Sequence, residues 1–327
     1  MAATKWTVKQ IPSQTGKTAL VSGANSGIGY QAALELARHG AHVLLACRNA
    51  EKGQAALKRL KREAPGTAAE LVEVDMASLA SIRSFATAFA GRGIPLDLLI
   101  NNAGVMALPK REVTVDGFER QFGTNHLGHF ALTGLLLPQL LAAPAPRVVT
   151  VASLAHRNGE IDFDDLQSER GYKPLVAYGE SKLANILFAK ELDRRARVAH
   201  SNLLSLAVHP GISMTNIMVN GPGTKNLTAI VLRILAPIMI QPDDAGALPT
   251  LYAATSPDAK GGEYIGPDGF QEFKGSPVVV QPRANGLDEA VGKRLWTVSE
   301  ELTGVLYTAL GYVMPSRELE TTGKIVV

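Results

Sequence analysis

The sequence has little of what marks secreted, membrane-spanning or nucleic-acid-binding chains. It carries one cysteine, Cys47, in 327 residues, so no internal disulfide can form and a reducing compartment suits it. Cys47 ends an apolar run and reads as buried filling. Neither sign of charge dominates: 33 lysines and arginines oppose 30 aspartates and glutamates, a formal +3, too slight to propose nucleic-acid binding. The basic cluster LKRLKREA (57–64) has helical spacing and reads as a solvated helix face. The opening MAATKWTVKQ lacks the apolar core of a signal peptide. No apolar run reaches the roughly 18 to 20 residues that a membrane-spanning helix needs. LTAIVLRILAPIMI (227–240) comes nearest, but is shorter and interrupted by Arg233 and Pro237; it reads as an interfacial helix in peripheral contact with a membrane, or as a cover over a substrate site. These absences predict a cytoplasmic globular chain.

What is present is a rhythm. The apolar runs KTALVSG (17–23), AHVLLAC (41–47), AELVEVD (69–75), LDLLINN (96–102), PRVVTVAS (146–153) and NLLSLAVHPG (202–211) fit strands buried on both faces. Helical patterns lie between them near 28–39, 50–63, 78–91, 115–142 and 176–196, and QPDD (241–244) supplies a further helix start. This alternation predicts an α/β, doubly wound, mostly parallel seven-stranded Rossmann-type sheet with helices on both faces. No linker divides the chain, so 1–327 is expected to be one domain, with a core at 15–255, a substrate-loop region at 212–241 and a C-terminal extension from 256 that looks like an appendage. The apolar face of 113–141 is open to two readings, core packing or a subunit interface in a homodimer or homotetramer.

The first strand runs into SGANSGIG, where Gly23, Asn25, Ser26, Gly27, Ile28 and Gly29 form the first strand-to-helix turn. Glycines there let a pyrophosphate approach backbone N–H groups and the positive end of a helix; close packing also selects glycine. The second strand ends in ACRN. Arg48, with Asn49 beside it, stands where NAD-preferring proteins place a ribose-binding carboxylate, and a guanidinium pairs with a 2′-phosphate that a carboxylate would repel. The turn and Arg48 therefore predict NADP(H), while a plain surface arginine is the alternative.

YGESK (178–182) puts Tyr178 and Lys182 four apart, on one face of a helix. A neighbouring ammonium lowers a phenol's pKa, so Tyr178 is a candidate general acid or base, although the spacing also arises by chance. Ser153 closes a strand at the same sheet edge and is placed to hydrogen-bond a reacting oxygen. Asn102, Ala103 and Gly104 of NNAG end another strand and offer close backbone approach. Asn125, polar in an apolar helix, is either a packing residue or the holder of a water beside Lys182. His126, His129, His156 and His209 fall on different elements without zinc-site spacing, so no metal is predicted.

Taken together these residues resemble the short-chain dehydrogenase/reductase superfamily, and within it the retinol dehydrogenase, protochlorophyllide reductase and WW-domain oxidoreductase branch. The resemblance rests on the glycine turn at 23–29, ACRN (46–49), VDMAS (74–78), NNAG (101–104), TNHLGHF (124–130), VASLAH (151–156), YGESKLANILFAKEL (178–192) and HPGISMT (209–215), in the family's order over 15–255. It implies a tetrad of Asn125, Ser153, Tyr178 and Lys182: tyrosine exchanging the proton, serine orienting the reacting group, lysine holding the nicotinamide ribose and asparagine supporting a water relay. It also implies Asp75 and Met76 near the adenine, and Pro210, Gly211 and Thr215 around the nicotinamide end. Two departures stand out. Ser22 replaces the usual threonine, keeping the hydroxyl; Ser153 and Tyr178 are 25 apart, through an insertion at 154–177 that resembles the same branch. That branch often carries an N-terminal membrane anchor, whereas this sequence opens without one, and GGEYIGPDGF (261–270) with RLWTVSEELTGV (294–305) is similar to soluble bacterial members. The implied activity is an oxidoreductase acting on a carbonyl or alcohol of an apolar small molecule; a catalytically idle NADP(H)-binding regulator is the alternative.

Overall fold

The computed structural model describes residues 5–212 and 241–310. Thr215 and the apolar stretch 227–240 lie outside the described residues.

All six apolar runs form strands: β1 (Thr18–Ser22), β2 (His42–Cys47), β3 (Ala69–Glu73), β4 (Leu98–Asn101), β5 (Arg147–Val151) and β6 (Leu204–Val208). The central β1 and β4 are buried along their whole length, as strands covered on both faces must be. Two further strands, β7 (Tyr264–Pro267) and β8 (Pro277–Val280), complete a sheet ordered β3-β2-β1-β4-β5-β6-β7-β8. The sheet thus has eight strands where seven are expected. The additional one is the antiparallel β8, which pairs Tyr264 with Val280; every other pairing is parallel.

Helices α1 (Gly27–Arg38), α2 (Ala50–Glu63) and α6 (Asp243–Thr255) pack into one core, on one face of the sheet. Helices α3 (Leu79–Ala90), α4 (residues 120–141), α5 (Pro174–Val198) and α7 (Glu289–Thr303) pack into another, on the opposite face. On α2, Leu57 and Leu60 are buried while Lys58, Arg59, Lys61 and Arg62 are exposed, so the basic cluster is a solvated face. Cys47 is buried in the first core.

The long helix α4 departs from its expected start at 115. Thr114 to Phe118 form a tight turn, with Gly117 at φ +87 and the Phe118 carbonyl accepting from Thr114 N, and Glu119 then caps the helix by accepting from Phe122 N at 2.6 Å. A left-handed glycine ends any helical register before residue 120. Within α4, Gly123–Leu127 is a π-helical turn, a feature that recurs at functional positions. Its wide turn holds Asn125.

The apolar face of α4 that read as core or subunit interface is covered by the chain itself. Phe130 lies 5.1 Å from the ring of Trp296 on α7 and 5.0 Å from that of Tyr307, whose hydroxyl donates to Phe130 O at 2.7 Å. At Gly134 a Cβ would crowd Val305 and Tyr307. The C-terminal extension is therefore structural, supplying two strands and a core helix.

Several histidines are buried in this packing. Burial pulls the pKa of His126 down to about 3 and those of His129 and His156 down to about 4, so all three are neutral near pH 7. The folded values lie below the unfolded 6.5, so the stability these groups allow is present above pH 6.5 and lost as pH falls toward 4, at on the order of 1 kcal/mol per pH unit for each. Denaturation midpoints between pH 7 and pH 4 should fall more steeply in the parent protein than in His126→Gln, which still reaches Ser299. Equal slopes would show that His126 does not titrate on unfolding.

Candidate active site

The C-terminal ends of the parallel strands gather at one edge of the sheet, and the strand order reverses between β1 and β4, where the crevice of such sheets opens. The turns after those strands pack against each other. Gly23 adopts φ +69, and a Cβ on it would sit 2.9 Å from Ala103 Cα; a Cβ on Gly29 would sit 2.7 Å from Gly23 O and overlap the Asn102 amide. The closest neighbours of these two glycines are therefore the NNAG segment itself. Ser22 Oγ joins the two turns, accepting from Asn102 N at 2.8 Å and Ala103 N at 2.9 Å, while Asn102 Nδ2 donates to Ser22 O at 2.8 Å. The hydroxyl at position 22 is fully used, which is why serine can stand in for threonine.

Ser22 Oγ also meets His129 Nε2 at 2.9 Å, and His129 Nδ1 meets Asn125 O at 2.9 Å. A carbonyl can only accept, so Nδ1 carries the proton and Nε2 accepts from Ser22. Neither His129 nor Ser181 was singled out from the sequence for a place here. The available signal was spacing: His129 is four residues beyond Asn125 and Ser181 three beyond Tyr178, each on the same helical face.

Asn125 clasps the segment following NNAG. Its Oδ1 accepts from Val105 N at 2.8 Å, and its Nδ2 donates to Val105 O at 3.0 Å and to Ser181 Oγ at 2.9 Å, Ser181 Oγ in turn donating to Tyr178 O at 2.8 Å. Both amide protons are taken by protein groups.

Ser153, Tyr178 and Lys182 come together as expected. The Ser153 side chain stands close enough to the Tyr178 hydroxyl to lower its pKa. Lys182 Nζ lies 5.7 Å from the Tyr178 ring centroid and donates to Val151 O, at the end of β5, at 3.0 Å. Gly104 is open to solvent, and a Cβ there would stand 3.0 Å from Asn125 Oδ1 and 3.6 Å from Lys182 Nζ. Burial raises the Tyr178 pKa above 10 and Ser153 partly offsets this; the lowering expected from Lys182 is not found. Lys182 itself is pulled down to about 8 by burial.

Among the other candidate residues, Arg48 is exposed just after β2 with no carboxylate partner among the described residues, and Asn49 Oδ1 caps α2 by accepting from Lys52 N at 2.8 Å. Ser26 is exposed and makes no side-chain cap to α1, Asn25 is half-buried beside it, and Ile28 is buried in the first core. Asp75 Oδ1 accepts from Ala77 N at 3.0 Å, whereas Met76 is buried in the second core. Pro210 and Gly211, the latter at φ +68, follow β6 at the same edge. A glycine turn before an uncapped helix, an unpaired guanidinium one strand away and a Cβ-free surface at Gly104 together fit a phosphorylated dinucleotide.

Comparison with known proteins agrees with this arrangement. Residues 17–224 match the short chain dehydrogenase family model. Human retinol dehydrogenase 13 is 41% identical over 294 residues, covering 89% of this chain and 85% of that one. A crystal structure from Mycobacterium paratuberculosis is 42% identical, with a TM-score of 0.77, and covers 93% of this chain and 99% of that one. A structure from Beutenbergia cavernae, assigned as an NAD(P)-dependent gluconate 5-dehydrogenase with bound NADP at low occupancy, is 25% identical with a TM-score of 0.58, covering 74% and 91%. With its glycine turn, NNAG segment and Ser153, Tyr178 and Lys182 at one sheet edge, the chain belongs to the short-chain dehydrogenases and is an oxidoreductase of the retinol dehydrogenase-like branch.

Proposed function

We propose that this protein is a cytoplasmic NADP(H)-dependent oxidoreductase that interconverts a carbonyl and the corresponding alcohol of an apolar small molecule. The observation that carries the reading is half-buried Tyr178, close to Ser153 and backed by Lys182 beside the open face of Gly104. When bound, the nicotinamide supplies the hydride. The chain's own part is to bind, orient and move one proton. The turn at 23–29, Asn102 to Gly104 and Pro210 with Gly211 would hold the cofactor, and Arg48 would pair with its 2′-phosphate.

Burial keeps Tyr178 protonated at neutral pH, the form that can donate the phenolic proton to a carbonyl oxygen. Ser153, beside the tyrosine, would hydrogen-bond the same oxygen and orient it. The Lys182 ammonium, mostly charged at pH 7 with its pKa near 8, stabilises the phenolate left behind. An apolar substrate is favoured by the likeness to a retinol dehydrogenase and by the apolar composition of 212–240. Buried, unpaired Cys47 accords with a reducing compartment.

NADPH oxidation across a panel of apolar aldehydes and ketones should show turnover that falls at least about a hundredfold in Tyr178→Phe, the usual scale of a lost acid catalyst. Tight NADPH binding without turnover would favour the idle regulator instead. Arg48→Ala should weaken NADPH by about tenfold while leaving NADH nearly unchanged, a charge-assisted pair to phosphate being worth on the order of 1.5 to 3 kcal/mol. An unchanged NADPH to NADH ratio would remove Arg48 from the 2′-phosphate site.

A further inference from the structure

The hairpin between β7 and β8 places a charged residue against the sheet edge at a conformational cost. Gln271 and Glu272 both have positive φ, 51° and 61°, in the left-handed region that side chains disfavour. Such strain persists only where surrounding contacts over-determine it, and it clusters at functional positions. The contacts here are specific. Glu272 Oε2 meets His209 Nε2 at 2.9 Å, and Glu272 Oε1 meets Arg157 at 2.8 Å. Arg157 belongs to the short 3-10 helix Leu154–Asn158 that Ser153 caps, and His209 directly follows β6. The carboxylate therefore ties the segment after Ser153 to the turn after β6.

His209 is fully buried, and the hydrogen bonds settle its tautomer. Gly211 N donates to His209 Nδ1 at 3.2 Å. A backbone N–H can only donate, so Nδ1 is bare, and the ring proton sits on Nε2, where Glu272 accepts it. Burial holds His209 below its ordinary pKa despite the carboxylate. Burial raises Glu272, but His209 and Arg157 more than offset it, leaving the carboxylate ionised. The neighbours facing this pair are Tyr264, whose ring is 5.1 Å from that of His209, and His156, 5.4 Å from Tyr264. Gly266 on β7 makes room, since a Cβ there would overlap the His209 ring.

We propose that Glu272 and His209 are positioning residues: the carboxylate fixes the Nε2–H tautomer, and the bare Nδ1 holds the Gly211 N–H and with it the Pro210–Gly211 turn in the shape that receives the nicotinamide end of the cofactor. The inference rests on the reading that this protein binds NADP(H) at that edge, and it makes the C-terminal hairpin part of the binding apparatus. Gly211 at φ +68 supports it: the N–H of this left-handed residue is taken by His209 Nδ1, while the flanking groups are tied elsewhere, Pro210 O by Gln241 Nε2 at 2.6 Å and Ile212 N by Phe273 O at 2.8 Å.

The test exploits the shapes of two amides. Asparagine places an acceptor near the position of histidine Nδ1, and glutamine places a donor near that of Nε2. NADPH dissociation constants, read by fluorescence titration, should rise about tenfold in His209→Gln and His209→Phe, the scale of one lost buried hydrogen bond, and no more than about threefold in His209→Asn. Glu272→Gly, which removes the carboxylate from a backbone that glycine adopts without strain, should weaken NADPH as His209→Gln does. Nitrogen-15 NMR of labelled histidine in the unmodified protein should show His209 as the Nε2–H tautomer. Equal affinities across the His209 series, or an Nδ1–H tautomer, would overturn the proposal. Absence of NADPH binding by the unmodified protein would instead overturn the cofactor reading on which it rests, and the tautomer would still be read independently. Thermal midpoints of the same variants separate the two roles, because a merely structural loss lowers all of them without separating asparagine from glutamine.

Discussion

The site depends on the contact between the turns after β1 and β4. Two glycines strip away the side chains that would hold the turns apart, and one hydroxyl, that of Ser22, accepts from two successive backbone N–H groups of the opposite turn. This contact lies where the strand order reverses, so it sets the width of the crevice. Everything else is referenced to it. Asn125 grips Val105 just beyond NNAG, Ser181 grips Asn125 and the Tyr178 carbonyl, and Lys182 is tied to the end of β5. The tyrosine is thus positioned through a chain of buried hydrogen bonds that begins at β1. Each is worth little net but expensive to leave unmade.

Desolvation gives the groups in this chain fixed roles. The same burial that keeps the proton on Tyr178 strips charge from the histidines, so His129 acts as a neutral relay with one donor and one acceptor. A protonated ring would be a donor at both nitrogens, and its bond from the Ser22 hydroxyl would fail. Lys182 is the exception that remains largely charged, because burial lowers its pKa only to about 8. Protonation states here follow from packing before any ligand enters.

Much of this was legible in the sequence because its signals are local. Strands buried on both faces must be apolar throughout, and all six such runs formed the parallel core of the sheet. Helices α1, α2 and α3 begin and end within about a residue of their periodic patterns, where Asn49 and Ser78 provide caps. Tyr178, Lys182, Ser153 and Asn125 were found by spacing and family likeness, and the structure gathers them. What escaped is short or long-range. The strand PVVV carries two exposed valines and lies in a stretch rich in glycine and proline, so no period announces it. The TVDG turn broke a helical pattern that hydrophobicity alone would continue. No periodicity connects Arg157 or His209 to Glu272, and backbone strain leaves no mark in composition.

The C-terminal extension shows why a long apolar helix is ambiguous when read alone. A helix apolar on every side must be covered on every side, and sequence does not say by what. In α4 one side meets the sheet, and the other meets Trp296, Val305 and Tyr307 from the chain's own end. An apparent interface is thereby converted into interior. The residues preceding that cover, β7 and β8, extend the sheet past β6 and carry Glu272 back to the edge where β6 ends. One segment therefore closes the core and reaches the site, so the stability of the α4 packing and the shape of the Pro210–Gly211 turn depend on the same stretch of chain.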